Sequence, residues 1–171
     1  KYGNERSCFD LNKSLKRDIK NTLSMATWNV RNLSNKSRSD AELGIISLIL
    51  SRYDVIALQE VLDAEVIKRI SAILKNDFQA KYDFVVSDSV GKNNKERYAY
   101  IWRSNKVNLE NSFLVDDSSD DFVREPFCAN FKSSNFDWLS CTIHVLYGDN
   151  QEERRPELEK LDELYTSIKS S

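Results

Sequence analysis

The sequence predicts an α/β fold, a mixed sheet covered by helices, from three features. Segments rich in β-branched and aromatic residues alternate with segments of helical periodicity from Leu23 onward. Asp54 to Glu60 has a continuous apolar centre, the mark of a strand buried on both faces. The 171 residues make about one domain. A chain of that size can bury roughly 70% of the surface its unfolded form exposes.

The elements follow in order. Residues 1–21 are mostly polar and charged and read as an N-terminal extension or linker ahead of a domain over 22–171. Leu11, Leu15 and Ile19 recur every four residues there and allow a short helix. Met25 to Val30 reads as a strand that runs into a polar loop through Asn35. Ser39 with Glu42 forms a capping box, opening a helix with Leu43, Ile46, Ile49 and Leu50 inward. After the strand at 54–60, Asp63 caps a second helix. Leu62 and Ile67 are placed as its hydrophobic staple, with Ile70, Ile73 and Leu74 behind them. Further strands are predicted over 82–87, 97–103, 107–115, 127–131 and 136–146. Pro156 suits the first turn of a last helix, with Leu158, Leu161, Leu164 and Ile168 facing inward.

Composition narrows the function classes. With 8 Phe, 7 Tyr and 3 Trp the chain is too aromatic for a disordered one. The formal charge of −2 gives no basic excess to hold nucleic acid by counterion release alone. A nucleic-acid substrate then needs few contacts and a metal to supply positive charge. The apolar run at 44–50 is far too short to cross a bilayer, and no signal peptide is visible. The chain starts at Lys1 without Met, so a leader is either removed or outside the sequence. Cys8, Cys128 and Cys141 cannot all pair, and their spacing fits no zinc motif; they read as ordinary thiols.

Three polar residues end hydrophobic strands: Asn29, Glu60 and His144. Such strand ends form the rim where α/β proteins bind ligands. A carboxylate closing an apolar run must be paired, capped or metal-bound, and Mg²⁺ prefers such hard oxygen donors. His144, the sole histidine, is either structural or a proton carrier near neutral pH. Asn29 alone is an ordinary turn residue. The 95–98 step and Arg124 read as surface charge, with Arg124 also shaped to grip a phosphate. Asp116, Asp117, Asp120 and Asp121 lack EF-hand spacing and read as a solvated loop.

Taken together, Thr27-Trp28-Asn29-Val30-Arg31, Asp54 to Val61, Lys95 to Arg103, Arg124-Glu125-Pro126-Phe127 and Ile143-His144 stand in an order that resembles the endonuclease/exonuclease/phosphatase superfamily. The likeness is greatest to its deoxyribonuclease I branch and covers Leu23 to Ser171. The resemblance implies a four-layer αββα sandwich, incomplete at its C-terminus, with a metal-dependent phosphodiesterase site at the strand ends. It implies Glu60 as the ligand of Mg²⁺ (or Mn²⁺ or Ca²⁺), with Asn29 beside the metal and the scissile phosphate. His144 would approach a phosphate oxygen or transfer a proton, oriented by Glu96. That role suits a donor to the phosphate or leaving group better than a base. Arg124 and Arg31 would hold backbone phosphates, with Tyr98 among the substrate-binding residues.

The resemblance further implies nucleic acid as substrate, DNA ahead of RNA. Leu62 and Asn94 replace an Arg and a Tyr that enter the DNA minor groove in the family, which weakens a duplex grip of that kind. The family's later Gly-Asp-Phe-Asn and Ser-Asp-His elements do not occur, so the chain is expected to cover about the first two thirds of the domain, with an incompletely paired second sheet and no hydrolytic activity alone. Two alternatives stand beside the nuclease: an inositol-phosphate or phospholipid phosphatase/phosphodiesterase, and a non-catalytic interaction module. Oligomeric state and compartment stay open.

Overall fold

The computed structural model describes residues 22–92 and 95–170. Cys8, the helical repeat at Leu11, Leu15 and Ile19, and Asn94 lie outside them. In chain order the elements are β1 (Met25–Leu33), α1 (Asp40–Leu50), β2 (Val55–Val61), α2 (Ala64–Asp77), β3 (Tyr82–Val86), β4 (Arg97–Arg103), β5 (Asn108–Leu114), β6 (Phe127–Ser133), β7 (Phe136–Thr142) and α3 (Gln151–Ser170).

The strands form two sheets, as the family resemblance implies, where the strand pattern alone reads as one mixed sheet. The first has the order β1-β2-β4-β3, with β1 and β2 parallel and the other pairs antiparallel. The second is the antiparallel meander β5-β6-β7. The period-2 alternation of β2 decides how the layers stack. Ile56 and Leu58 pack with Leu43, Leu50, Ile67 and Ile70 of α1 and α2. Val55 and Ala57 point the other way, with Tyr98, Tyr100 and Trp102 against Phe127, Ala129 and Phe131 of the second sheet. A strand buried on both faces needs this unbroken apolar run, and a one-residue slip would exchange its two faces. Each fully buried Leu or Ile here contributes about 1.5–3 kcal/mol of transfer free energy.

Local signals position the helices. The Ser39–Glu42 capping box is formed in both directions, and the Asp63 side chain accepts from the Val66 N–H. A cleft of about 740 Å³ separates α3 from the outer side of the second sheet, lined by Phe113, Asn130 and Leu139 on one wall and Leu164 and Ile168 on the other. No helix among the described residues is long and apolar enough to cross a membrane.

Several expectations are corrected. Cys128 and Cys141 are not free thiols: they face each other across β6 and β7 and form a disulfide. Ile49, Leu62 and Leu158 are exposed rather than inward, so Leu62 does not staple α2. The last helix opens at Gln151, with Asn150 Oδ1 accepting from the Glu153 N–H. Pro156 therefore lies in its second turn, where the missing N–H forgoes one helical bond. β7 ends at Thr142, so His144 lies in the segment after the strand. The acidic loop is not purely solvated, since the Asp117 carboxylate accepts from the Asp121 and Phe122 N–H groups.

Candidate active site

The ends of β1, β2 and β7 and the starts of β4 and β6 meet at one rim. This follows from direction: β4 runs antiparallel to β2, and β6 to β7. The strand ladders break there. The register shifts between Asn29 and Leu33 on β1, and between Leu58 and Val61 on β2. Within those breaks Arg31, Asn32 and Glu60 adopt positive φ angles of 46°, 50° and 58°. A left-handed conformation costs an L-residue roughly 1–2 kcal/mol, and here it turns side chains that would alternate into the rim.

Glu60 is held from two sides. Its Oε1 accepts from Asn29 Nδ2 at 2.8 Å, and its Oε2 from the Asn32 backbone N–H at 2.9 Å. Asn29 is itself fixed, because its Oδ1 accepts from the Arg31 N–H at 2.9 Å. Burial pushes the Glu60 carboxyl up. The Asn29 and Asn32 hydrogen bonds, with the charges of His144 and Arg124, outweigh that and leave it below the usual carboxylate range. The carboxylate is therefore ionised at neutral pH.

His144 bridges the two sheets. Its Nε2 is 3.7 Å from Glu60 Oε1, and its Nδ1 is 2.7 Å from Glu96 Oε1. An ionised carboxylate only accepts, so the contact with Glu96 puts a proton on Nδ1 and aims Nε2 at the open rim. Glu96 is buried, and its second oxygen lies 3.3 Å from Arg124 Nε. Arg124 Nη1 also donates to the His144 carbonyl at 3.3 Å. Arg31 is exposed at the same rim. Tyr98 is wholly buried, and its hydroxyl accepts from the His144 backbone N–H at 2.9 Å. Its contact with the rim in this structure is thus through the His144 backbone.

All seven residues singled out in the sequence thus meet at one end of the sandwich. Two further residues went unrecognised. Gln59 is buried and donates from Nε2 to Thr27 Oγ1 at 2.9 Å and Thr142 Oγ1 at 2.7 Å, joining β1, β2 and β7 just behind Glu60. A polar side chain closing an apolar strand was its signal. Glu157 of α3 is buried as well, and its signal was a carboxylate at helical spacing with Leu161, Leu164 and Ile168.

The donor set can be tested against a metal. Among the described residues no three His, Cys, Asp or Glu side chains gather into a cage. Glu96 is taken up by His144 and Arg124, so the rim offers a metal the Glu60 carboxylate and the Asn29 amide oxygen. That fits Mg²⁺, which keeps several waters and binds through one or two carboxylates plus substrate oxygens. It does not suit a closed four-ligand zinc site.

A family model described as the endonuclease/exonuclease/phosphatase family matches residues 26–168. The chain belongs to that family. A deoxyribonuclease of Thioalkalivibrio sp. (strain K90mix) is 35% identical over 143 residues, covering 81% of this chain and 39% of the relative. Deoxyribonuclease-1 of Gallus gallus is 30% identical over 156 residues, covering 86% and 55%. This family member therefore spans about two fifths to a little over half of those curated relatives. Among solved structures, D. rerio TDP2 humanised by 14 mutations matches with a TM-score of 0.61 at 24% identity, covering 87% of this chain and 60% of that one. At that identity the likeness establishes the fold: two packed sheets with outer helices.

Proposed function

We propose that this chain carries most of the catalytic rim of a Mg²⁺-dependent phosphodiesterase of the deoxyribonuclease I type, acting on DNA. One observation carries the reading: the carboxylate of Glu60 lies 3.7 Å from Nε2 of the sole histidine, whose Nδ1 is 2.7 Å from Glu96. Two carboxylates and the sole histidine, drawn from two sheets, would not converge on one rim for stability alone, since taking such groups from water costs desolvation. The curated relatives named as deoxyribonucleases support DNA as the substrate.

Glu60 would hold the metal, with Asn29 alongside, and the cation would stabilise negative charge on the phosphate oxygens. The remaining tasks fall to side chains. Arg124 and Arg31 bind phosphate oxygens. In its doubly protonated form His144 would give the Nε2 proton to a phosphate oxygen or the leaving group and return to the neutral Nδ1–H tautomer, whose orientation the Glu96 carboxylate fixes. Tyr98 and Gln59 hold the backbone and strand ends on which those groups stand. Nicking of supercoiled plasmid with Mg²⁺, against an EDTA control, tests the proposal. In a form of the protein that also carries the family's Gly-Asp-Phe-Asn and Ser-Asp-His elements, Glu60→Gln and His144→Ala should each abolish cleavage, and full activity in either would refute the assignment.

One observation favours a second reading within the family. Leu62 is 42% exposed immediately after the metal-side strand, and the net charge is −2. An apolar residue there suits a smaller phosphoester better than the groove of a DNA duplex. Release of inorganic phosphate from inositol phosphates without plasmid cleavage would select it.

A further inference from the structure

We infer that Glu157 of α3 is a positioning residue that holds the Arg124 and His144 segments together at the rim. The strand ladder between those segments ends at the Phe127–Thr142 pair. Arg124 stands three residues before that pair and His144 two residues after it, so neither is fixed by sheet hydrogen bonds. Glu157 bridges the gap. Its Oε1 accepts from the Val123 N–H at 3.0 Å, and its Oε2 from the Leu146 N–H at 2.6 Å. Val123 adjoins Arg124, and Leu146 lies two residues beyond His144.

A carboxylate suits this task because two N–H donors converge, and an ionised carboxylate offers one acceptor oxygen to each with no competing donor. Glu157 is only 4% exposed. Among the described residues it forms no ion pair, although Lys160 on the same helix pairs with Asp121 and Glu163. An anchor serving α3 alone would be cheaper as a leucine, because burying a carboxylate costs desolvation that only its hydrogen bonds offset. The two bonds reach loops that bear site residues. They complement the Arg124 bond to the His144 carbonyl and the His144 bond to Tyr98. The helix is thereby part of the scaffold that sets the distance from His144 to Glu96.

The sole histidine makes this directly testable. In ¹⁵N and ¹H spectra the sole imidazole should give one set of ring signals, including that of the Nδ1–H facing Glu96. Glu157→Gln is isosteric but turns one acceptor into a donor. It should shift the ring signals and weaken or remove the Nδ1–H resonance, and Glu157→Ala should do so more fully. Glu159→Ala, whose side chain pairs on the surface with Arg155, should leave them unchanged. If both Glu157 variants fold, as circular dichroism reports, and their histidine signals superimpose on the parent's, the inference is overturned. Should Glu157→Ala fail to fold, the isosteric Glu157→Gln decides. A kinetic arm rests on the phosphodiesterase reading: kcat should fall by up to about 100-fold with KM little changed. That arm uses a form carrying the family's later Gly-Asp-Phe-Asn and Ser-Asp-His elements; if that form cleaves no phosphodiester, the reading fails while the spectra still judge Glu157.

Discussion

The backbone at residue 60 supplies a prediction whose sign inverts the usual order of substitutions. Glu60 sits at φ 58° inside a break in two strand ladders. Replacing it with Ala or with Gly removes the same carboxylate and the same two accepted hydrogen bonds, at 2.8 and 2.9 Å, so those losses cancel between the variants. What remains is the Cβ. In the left-handed region it costs roughly 1–2 kcal/mol, which glycine is spared. Glycine in turn loses about 0.5–1 kcal/mol through the larger entropy of its unfolded chain. The balance favours Glu60→Gly over Glu60→Ala by about 0.5–1 kcal/mol, whereas glycine is the weaker of the two in an ordinary strand. With a urea slope of about 2 kcal/mol/M, that corresponds to a midpoint higher by roughly 0.3–0.5 M. Urea titrations of both variants, followed by fluorescence, measure it. A midpoint for the glycine variant equal to or below that of the alanine variant would refute the claim that the strand end is strained to present this carboxylate.

Three more predictions rest on other parts of the molecule. Magnesium at ten times its dissociation constant should stabilise the parent by about 1.4 kcal/mol and leave Glu60→Gln unmoved, as thermal unfolding with and without the ion reports. Asp54 is buried, accepts from the Ser24 N–H at 2.9 Å and pairs with Lys106 at 2.9 Å. Burial raises its pKa, but the bonds from Ser24 and Lys106 outweigh this and lower it below the usual carboxylate range. A lowered native pKa means the unfolded chain takes up the proton first. The stabilisation is therefore complete above about pH 4 and is lost as pH falls through the native value. Asp54→Asn should cost about 3 kcal/mol at pH 7, a fall in Tm of roughly 6–12 °C, with the gap closing in acid. Reducing the Cys128–Cys141 disulfide, which closes a separation of 13 residues, should cost about 3 kcal/mol, because it frees only a short loop in the unfolded chain; denaturant titration with and without reductant checks this.

Features with a local physical cause were legible along the chain. The Ser39–Glu42 box, the Asp63 cap and the apolar run of β2 each act within a few residues, so their sequence pattern is their mechanism. The same holds for Asn29, Glu60 and His144 as polar stops at the ends of apolar segments, which the resemblance joined into one site. Tertiary structure alone decided the rest, because it depends on which distant segments become neighbours. The pairing of Cys128 with Cys141 and the exposure of Ile49, Leu62 and Leu158 follow from register and layer stacking. So do the burial of Tyr98 behind His144, the Gln59 bridge to Thr142 83 residues away, and the Glu157 bridge between two loops. A single side chain's hydrogen-bonding capacity is written in its residue type, but the donor or acceptor that meets it is chosen only when the layers close.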